Sequence, residues 1–369
     1  MFRLVGLYER SSDLSLKETF GIRQSEVIGL DIGSSAVKLV RLRKNGGGYA
    51  VTAAGISSIA PAGADVSRKR LNTVRAIHEC LAVTGVRNKL AVCGVGGPEV
   101  AVRDFRFPAL PPEEVAGAVS LEAAQVCPFN MEDGAVDYEL MSNNGGAVAG
   151  ILVAATHSLV KRKVQIVKES SLDCVMMDAE GMALLNCFSE LERPEPGQTI
   201  AILNIGSSYT TLAIMGGPPN LAGWPFMRDL TFAGDDIVKL IAAEHGMSPD
   251  AVKEILFSDS DQPQTTLHDS LEKACKKLIV DVFETSRYYK AQEKSAAFEK
   301  LFVCGGFALV KGFVELLSSQ LPVKAVLWNP FEKMRCEVGR NHRGAFQRNI
   351  LQKNSPAMVV ACGLAMRSI

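Results

Sequence analysis

The sequence predicts a duplicated α/β protein of two lobes, with a small α+β unit inserted into the first. Three observations carry this. The phrase VIGLDIGSSAVKLVRLRK at 27–44 returns in close paraphrase as AILNIGSSYTTLAIM at 201–215. Each copy opens a run of short β-branched segments parted by glycine turns. Between the copies, from about 96 to 170, lies a stretch of different texture. The copies are too far apart for a solenoid repeat and fit a duplicated chain that holds a ligand between its halves.

Composition supports a folded chain with room for two cores. Of 369 residues, 47% are hydrophobic and 22% charged. Lys+Arg and Asp+Glu are both 40, so the formal net charge is zero and no global field recruits nucleic acid or an anionic membrane. Nine cysteines, an odd number without a Cys-x-x-Cys pair, read as reduced thiols of a cytoplasmic protein. The first residues, MFRLVGLYERSSDLSLKETF, carry charges where a secretion signal needs an apolar core. The longest apolar stretch, AVAGILVAA from Ala147, is about half the length that crosses a bilayer. No direct membrane insertion is expected.

Residues 1–25 are polar and aperiodic and read as an N-terminal arm. The first lobe, 26–197, opens with the strands VIGLDIG, AVKLVRLRK and YAVTAAGISSI. A helix follows with Leu71, Val74, Ile77 and Leu81 on one face and Gly85 as its stop. After the strand KLAVCGV comes the insertion: strand VAVRDFRF, breaker PALPPEE, a helix through Val126, strands AVDYELM and AVAGILVAAT, and the helix LVKRKVQIVKES. Pro112 or Glu113 can start the first insertion helix, whose Val115, Val119 and Val126 face the small sheet. The second lobe, 198–355, repeats three strands, then carries helical stretches at about 234–257 and 267–292 and the strands KLFVCGG and AVLWNPF. A C-terminal helix within 356–369 is expected to pack back on the first lobe.

The turns carry the chemistry. A glycine after a strand tightens the backbone without a Cβ clash, and successive N–H groups can then face an anion. Ser34 and Ser35, and Ser207 and Ser208, add hydroxyl donors, so each turn can hold one side of a polyphosphate. Asp31 suits Mg²⁺ through water, and Lys38 can return to the phosphates across the hairpin. Gly305-Gly306 after the strand LFVC would let a flat base approach the backbone. A lone turn of this kind is a common hairpin with a capping Asp; its repetition is what points to a ligand.

In this order the motifs resemble the actin-like ATPase superfamily, whose fold is a duplicated, ribonuclease H-like α/β fold of two lobes. Within it the chain resembles the PilM family of type IV pilus assembly proteins. The carrying phrases are IGLDIGSSAVKLVRL, FPALPPEEVAGAVSLEAAQVCPFNMEDGAVDYEL, VMMDAEGMAL, ETSRYYKAQ, CGGFALVKGF, WNPF and ACGLAMRS. The resemblance puts Asp31, Gly33, Ser34, Ser35 and Lys38 on a first phosphate loop, and Asn204, Gly206, Ser207 and Ser208 on a second. Gly305, Gly306 and Phe307 fall on the adenosine turn, and Glu180 on the connecting segment, where it is a weak catalytic candidate. It implies ATP or ADP with Mg²⁺ as ligand. The implied partners are the N-terminal peptide of a PilN-type inner-membrane protein, taken by the insertion, and other pilus assembly proteins. Self-association is a further possibility the family leaves open, and the implied place is the cytoplasmic side of the inner membrane.

Three positions depart from the family pattern. Asn204 stands where the second loop normally begins with Asp, Ala233 precedes Gly234 where a glycine pair is usual, and Ala251-Val252 replaces an Ala-Glu pair that faces the nucleoside. The expectation is nucleotide binding that is weak or absent, with little or no hydrolysis, because phosphoryl transfer depends on charge placed around Mg²⁺. The alternatives are an FtsA-like division filament protein, which usually ends in an amphipathic membrane helix that GLAMRSI does not provide, and a small-molecule kinase, against which Asn204 speaks. His78, His157, His245, His268 and His342 form no metal-spaced pair. GVGGPE at 94–99 lacks dinucleotide spacing, CVMMDAEGMAL reads as core, and Arg335, Arg340, Arg343 and Arg348 read as a solvated basic loop.

Overall fold

A computed structural model describes residues 27–143, 146–195, 198–216, 224–258, 264–293, 298–339 and 342–367. The arm expected at 1–25 lies outside them. The chain divides into two units: one takes the chain up to Cys187, Phe331–Lys353 and the chain from Val360, the other Phe188–Pro330 and Asn354–Val359. The sequence boundary expected at 197/198 differs from this division, which falls inside a helix, and 331–353 belongs with the first unit.

In the first unit, β1 (Ile28–Ile32), β2 (Ala36–Asn45) and β3 (Gly48–Ser58) form the expected antiparallel meander. The helix α1 (Val66–Thr84) then returns the chain so that β4 (Leu90–Val95) pairs parallel with β1, and β8 (Asp173–Ala179) parallel with β4. A short strand β14 (Arg335–Cys336) completes the order β14-β3-β2-β1-β4-β8. β1 is buried at every residue, as a central strand covered on both faces must be.

Asp65 caps α1 by accepting from Arg68 N–H, and Gly85 ends it in the left-handed conformation at φ 66°. Its buried face is Thr73, Ala76, Ile77 and Cys80, whereas Leu71 is 63% exposed. The apolar stripe read from the sequence was therefore rotated: Ile77 stays inward, but its buried neighbours are Thr73, Ala76 and Cys80 rather than the leucines.

The insertion forms its own antiparallel sheet, β5-β7-β6, from β5 (Val100–Pro108), β6 (Gly134–Asn143) and β7 (Ala147–Thr156). On it lies α2 (Pro112–Val126), with Val115, Val119 and Ala123 packed against Phe105, Val148, Leu152 and Ala154, and Val126 at the margin. Pro112 stands in the first turn, where its missing N–H costs nothing. The following helix α3 (His157–Glu169) is capped by the Thr156 hydroxyl. It packs on α1, β4 and β8 as well as on β7, so it joins the insertion to the main sheet of the same unit.

The second unit repeats the plan. β9 (Ile200–Ile205), β10 (Thr210–Met215) and β11 (Phe226–Leu230) are antiparallel, and β12 (Lys300–Cys304) and β13 (Lys324–Leu327) add parallel strands, giving β11-β10-β9-β12-β13. The stretch expected as one helix at 234–257 is two, α5 (Gly234–His245) and α6 (Pro249–Leu256), because Gly246 takes φ 63° and Ser248 caps afresh. With α7 (Gln264–Glu293) and α8 (Phe313–Gln320) they cover an apolar core that includes Leu203, Ile237, Leu278 and Phe313.

Two helices close the first unit. Residues read as a basic loop form α9 (His342–Lys353), carrying Arg343 and Arg348; Arg340 lies outside the described residues. Its buried face holds Gly344, Gln347, Ile350 and Leu351, and Gln347 accepts from Ala54 N–H at 3.0 Å and donates to Val83 O at 3.3 Å. A buried glutamine broke the apolar period that would have announced the helix. The terminal stretch is a 3₁₀ turn, Ser355–Met358, then α10 (Val359–Ala365).

α10 crosses β1 and the helix α4 (Glu180–Glu192) at backbone contact. A Cβ at Gly29 would overlap Ala361 O and Ala365 N, and one at Gly363 would overlap Ala183 O. Gly29→Ala is expected to lower stability by about 3 kcal/mol, the upper end of overpacking effects. Gly117 lies exposed in α2 with open space around it, and Gly117→Ala is expected to raise stability by about 1 kcal/mol. Urea denaturation of both variants checks the contrast.

Candidate phosphate loops

The turn after β1 is closed by Gly33 N–H donating to Ala36 O at 3.1 Å, and the turn after β9 by Gly206 N–H donating to Tyr209 O at 3.1 Å. Exposure repeats as well: Gly33 and Ser34 are half-buried and Ser35 exposed, as are Gly206, Ser207 and Ser208 in turn. The two glycine-serine turns therefore share one form, one in each unit, at the end of a buried central strand.

Their charge differs. In the first unit Asp31 and Lys38 are direct cross-strand partners, and Lys38 Nζ donates to Asp31 Oδ2 at 3.0 Å. Only 5% of Asp31 is exposed. A Cβ at Gly33 would stand 3.2 Å from Lys38 Nζ, so the glycine is what lets the ammonium reach the turn. In the second unit the same register pairs Asn204 with Thr211. Asn204 Oδ1 accepts weakly from the Cys304 thiol at 3.8 Å, and the Thr211 hydroxyl donates to Asp229 Oδ1 at 2.6 Å. Where the first unit has an ion pair, the second has a neutral pair. The sequence reading noticed Asn204 and missed Thr211, although it stands seven residues on, as Lys38 does from Asp31.

The carbonyls of the second loop are taken up by α5: Gly234 N–H donates to Gly206 O at 3.0 Å and Asp235 N–H to Ser207 O at 2.8 Å. Ala233 caps the helix, with Asp236 accepting its N–H at 3.1 Å, so the departure from a glycine pair is accommodated without an orphan amide there. Lys253 Nζ lies 2.8 Å from Asp235 Oδ1, a charge contact between α6 and α5. Val252 is fully buried in the apolar core and presents no polar group.

Gly305 adopts φ 95° and donates to Pro356 O at 2.8 Å. A Cβ there would overlap the Ile205 backbone and stand 2.7 Å from Asn204 Oδ1, which makes glycine obligatory; Gly306 faces open space. Phe307 departs from its expected place at the adenosine. Its ring is 4% exposed in the core, edge-on to Phe313 at 5.1 Å and Phe257 at 6.1 Å. The second unit thus brings Asn204, the second loop and the glycine pair together, with the phenylalanine turned inward.

Glu180 begins α4 in the first unit, 4% exposed, with its side chain over Gly94. Two residues earlier, Asp178 is fully buried and accepts from Arg367 Nε at 2.6 Å, pinning the chain beyond α10 to the end of β8. Among the described residues no group of three or more His, Cys, Asp or Glu could hold a metal ion, and no helix is long and apolar enough to cross a membrane.

A central strand flanked by an antiparallel pair on one side and parallel strands on the other, built twice, defines the duplicated actin-like class of α/β protein. A family model described as type IV pilus assembly protein PilM matches residues 29–369, and the chain belongs to that family. Among solved structures it is similar to a PilM-PilN type IV pilus biogenesis complex, at 24% identity and TM-score 0.79, over 94% of this chain and 99% of that one. It is similar in fold to the ethanolamine utilization protein EutJ from Carboxydothermus hydrogenoformans, at 14% identity and TM-score 0.52, over 94% and 91%. A glycerol dehydratase reactivase is similar at 11% identity and TM-score 0.52, over 92% and 99%.

Burial raises the Asp178 carboxyl above its ordinary value of 3.8, against the opposing pull of Arg367. The folded state therefore holds this proton more tightly than the unfolded chain. The stability Asp178 contributes is full at low pH and declines as pH rises from the unfolded value through the raised folded one. Arg367→Met strands the carboxylate and is expected to cost about 3–5 kcal/mol at pH 7, less in acid where Asp178 is protonated. Denaturation at both pH values, with the Asp178→Asn/Arg367→Met pair as recovery control, checks this.

Proposed function

We propose that this chain is a cytoplasmic adaptor of type IV pilus assembly, held at the inner membrane by the N-terminal peptide of a PilN-type protein. Membership of the PilM family over residues 29–369 carries this reading. The similar solved structure is a PilM-PilN complex, and the inserted sheet that would receive such a peptide has two edge strands, β5 and β6. An extended peptide binds such an edge through its main chain and is selected through alternate side chains. The adaptor would tie the inner-membrane alignment complex to the assembly motor.

ATP or ADP is the ligand the loops fit best. Ser34, Ser35 and Lys38 would meet phosphate oxygens at the first loop, Ser207 and Ser208 at the second, and Gly306 leaves room for a base beside the backbone. Nucleotide phosphate would compete with Asp31 for Lys38, freeing the carboxylate to hold a hydrated Mg²⁺. Bound Mg²⁺ supplies charge stabilisation for phosphoryl transfer, and the protein side of that shell is thin here. Asn204 and Thr211 offer the second loop no carboxylate, and Asn204 Oδ1 faces Cys304 and Gly305. The chain therefore binds nucleotide as a structural or switching ligand and hydrolyses it slowly.

Two measurements test the reading. Pull-down of the tagged full-length chain from detergent-solubilised host membranes is expected to recover a small single-span protein with a short cytoplasmic N-terminal tail, together with pilus assembly components. Recovery of division-ring proteins would favour the filament alternative and overturn the adaptor. In steady-state assays ATP turnover is expected near background, with Asn204→Asp raising it. Rapid Mg-dependent turnover by the unaltered chain, lost in Asp31→Ala, would reject the slow-hydrolysis reading.

A further inference from the structure

A second cation, beside Lys38, touches the first phosphate loop, and it comes from the insertion side of the unit. Lys163, on α3, donates from Nζ to Ile32 O at 2.7 Å, immediately before Gly33. Among the described residues its ammonium meets no carboxylate, unlike Lys38, which Asp31 neutralises. A half-buried ammonium held only by a carbonyl keeps both charge and donors for an anion arriving at the loop.

The neighbour of Lys163 ties the same helix to both ends of the insertion. Arg162 donates to Glu99 Oε2 at 2.6 Å, the Thr156 hydroxyl donates to Glu99 Oε1 at 2.8 Å, and Thr156 N–H donates to Glu99 O at 3.1 Å. Glu99 precedes β5, where the chain enters the inserted sheet, and Thr156 ends β7, where it leaves. Loop, helix and the neck of the inserted sheet thus form one unbroken run of hydrogen bonds within a single unit.

We propose that Lys163 is a positioning residue of the first phosphate loop and the link through which phosphate bound there alters the inserted subdomain. The inference rests on the nucleotide reading above. Phosphate at Ser34 and Ser35 draws the Lys163 ammonium away from Ile32 O, and α3 carries that shift through Arg162 to Glu99 and Thr156. Linkage makes the effect reciprocal, so a peptide that binds the insertion changes nucleotide affinity by the same factor.

The test is hydrogen exchange by mass spectrometry on the full chain with and without Mg-ADP, beside titration with a fluorescent ADP analogue. Lys163→Met is expected to weaken ADP binding about tenfold, the scale of one charge-assisted hydrogen bond. It is also expected to abolish the ADP-induced exchange change in β5 and β7, while Lys163→Arg restores at least part of both. If Lys163→Met fails to fold, Lys163→Gln, which keeps a donor without charge, is read in the same way. Equal affinity and an equal exchange response in the wild type and the Met or Gln variant would overturn the link and leave the nucleotide reading standing. A wild type that binds no ADP would overturn both.

Discussion

Each half of the protein depends on one constraint: a central strand buried on both faces must end in a turn that spends no side-chain volume. Gly33 and Gly206 meet it with the same closure, an N–H donated to the carbonyl three residues on. The strands before these turns can be wholly apolar apart from one polar residue, Asp31 or Asn204, placed just inside the turn. The turn puts serine hydroxyls and backbone donors at the sheet end, and this is where α/β sheets offer ligand contacts. The rest of each unit, from the flanking antiparallel pair to the crossover helices, serves to bury that strand.

The two units share the backbone plan of the turn and differ in its charge. The cross-strand position opposite the polar residue is Lys38 in one unit and Thr211 in the other, and each choice is internally consistent. A buried aspartate needs its lysine, since an unpaired carboxylate at such a place is costly. Asn204 needs no cation, so Thr211 turns its hydroxyl to Asp229 instead. Amides of α5 bind the second loop through its carbonyls, and the first is held by Ile59 N–H on Ser35 O at 2.8 Å and by the Lys163 side chain on Ile32 O. A side-chain tether can be displaced by a competing anion more readily than a helix terminus can be moved, and the first loop has such a tether in Lys163.

What could be read from the sequence follows from what has a period. The two meanders, the glycine stop of α1 and the valine face of α2 all rest on glycine placement or on side chains that repeat with the element. Elements whose buried faces are small or polar were misread. The inward face of α1 uses Thr73, Ala76 and Cys80 beside Ile77, and α9 buries Gly344 and Gln347, so neither announces itself by hydrophobicity. Thr211 and Lys163 are ordinary residues in ordinary elements, and only strand register and helix packing bring them to a loop. Phe307 was placed on the adenosine turn only by resemblance, as the residue after two glycines, and the turn after Gly306 carries its ring into the core.

On the proposed reading, the neutral second loop bears on why an adaptor would keep an actin-like fold. Fast phosphoryl transfer needs a complete electrostatic shell, because little else in the chemistry is left for the protein to supply. Slow exchange between two nucleotide states needs only binding that differs between conformations, and a ligand shifts such an equilibrium by no more than that difference. On the proposed reading, a neutral Asn204-Thr211 pair would lower the first without removing the donors that serve the second. The charged loop and its side-chain tether sit in the unit that carries the inserted sheet, so on the proposed reading the half that would sense phosphate is also the half that would hold the partner peptide.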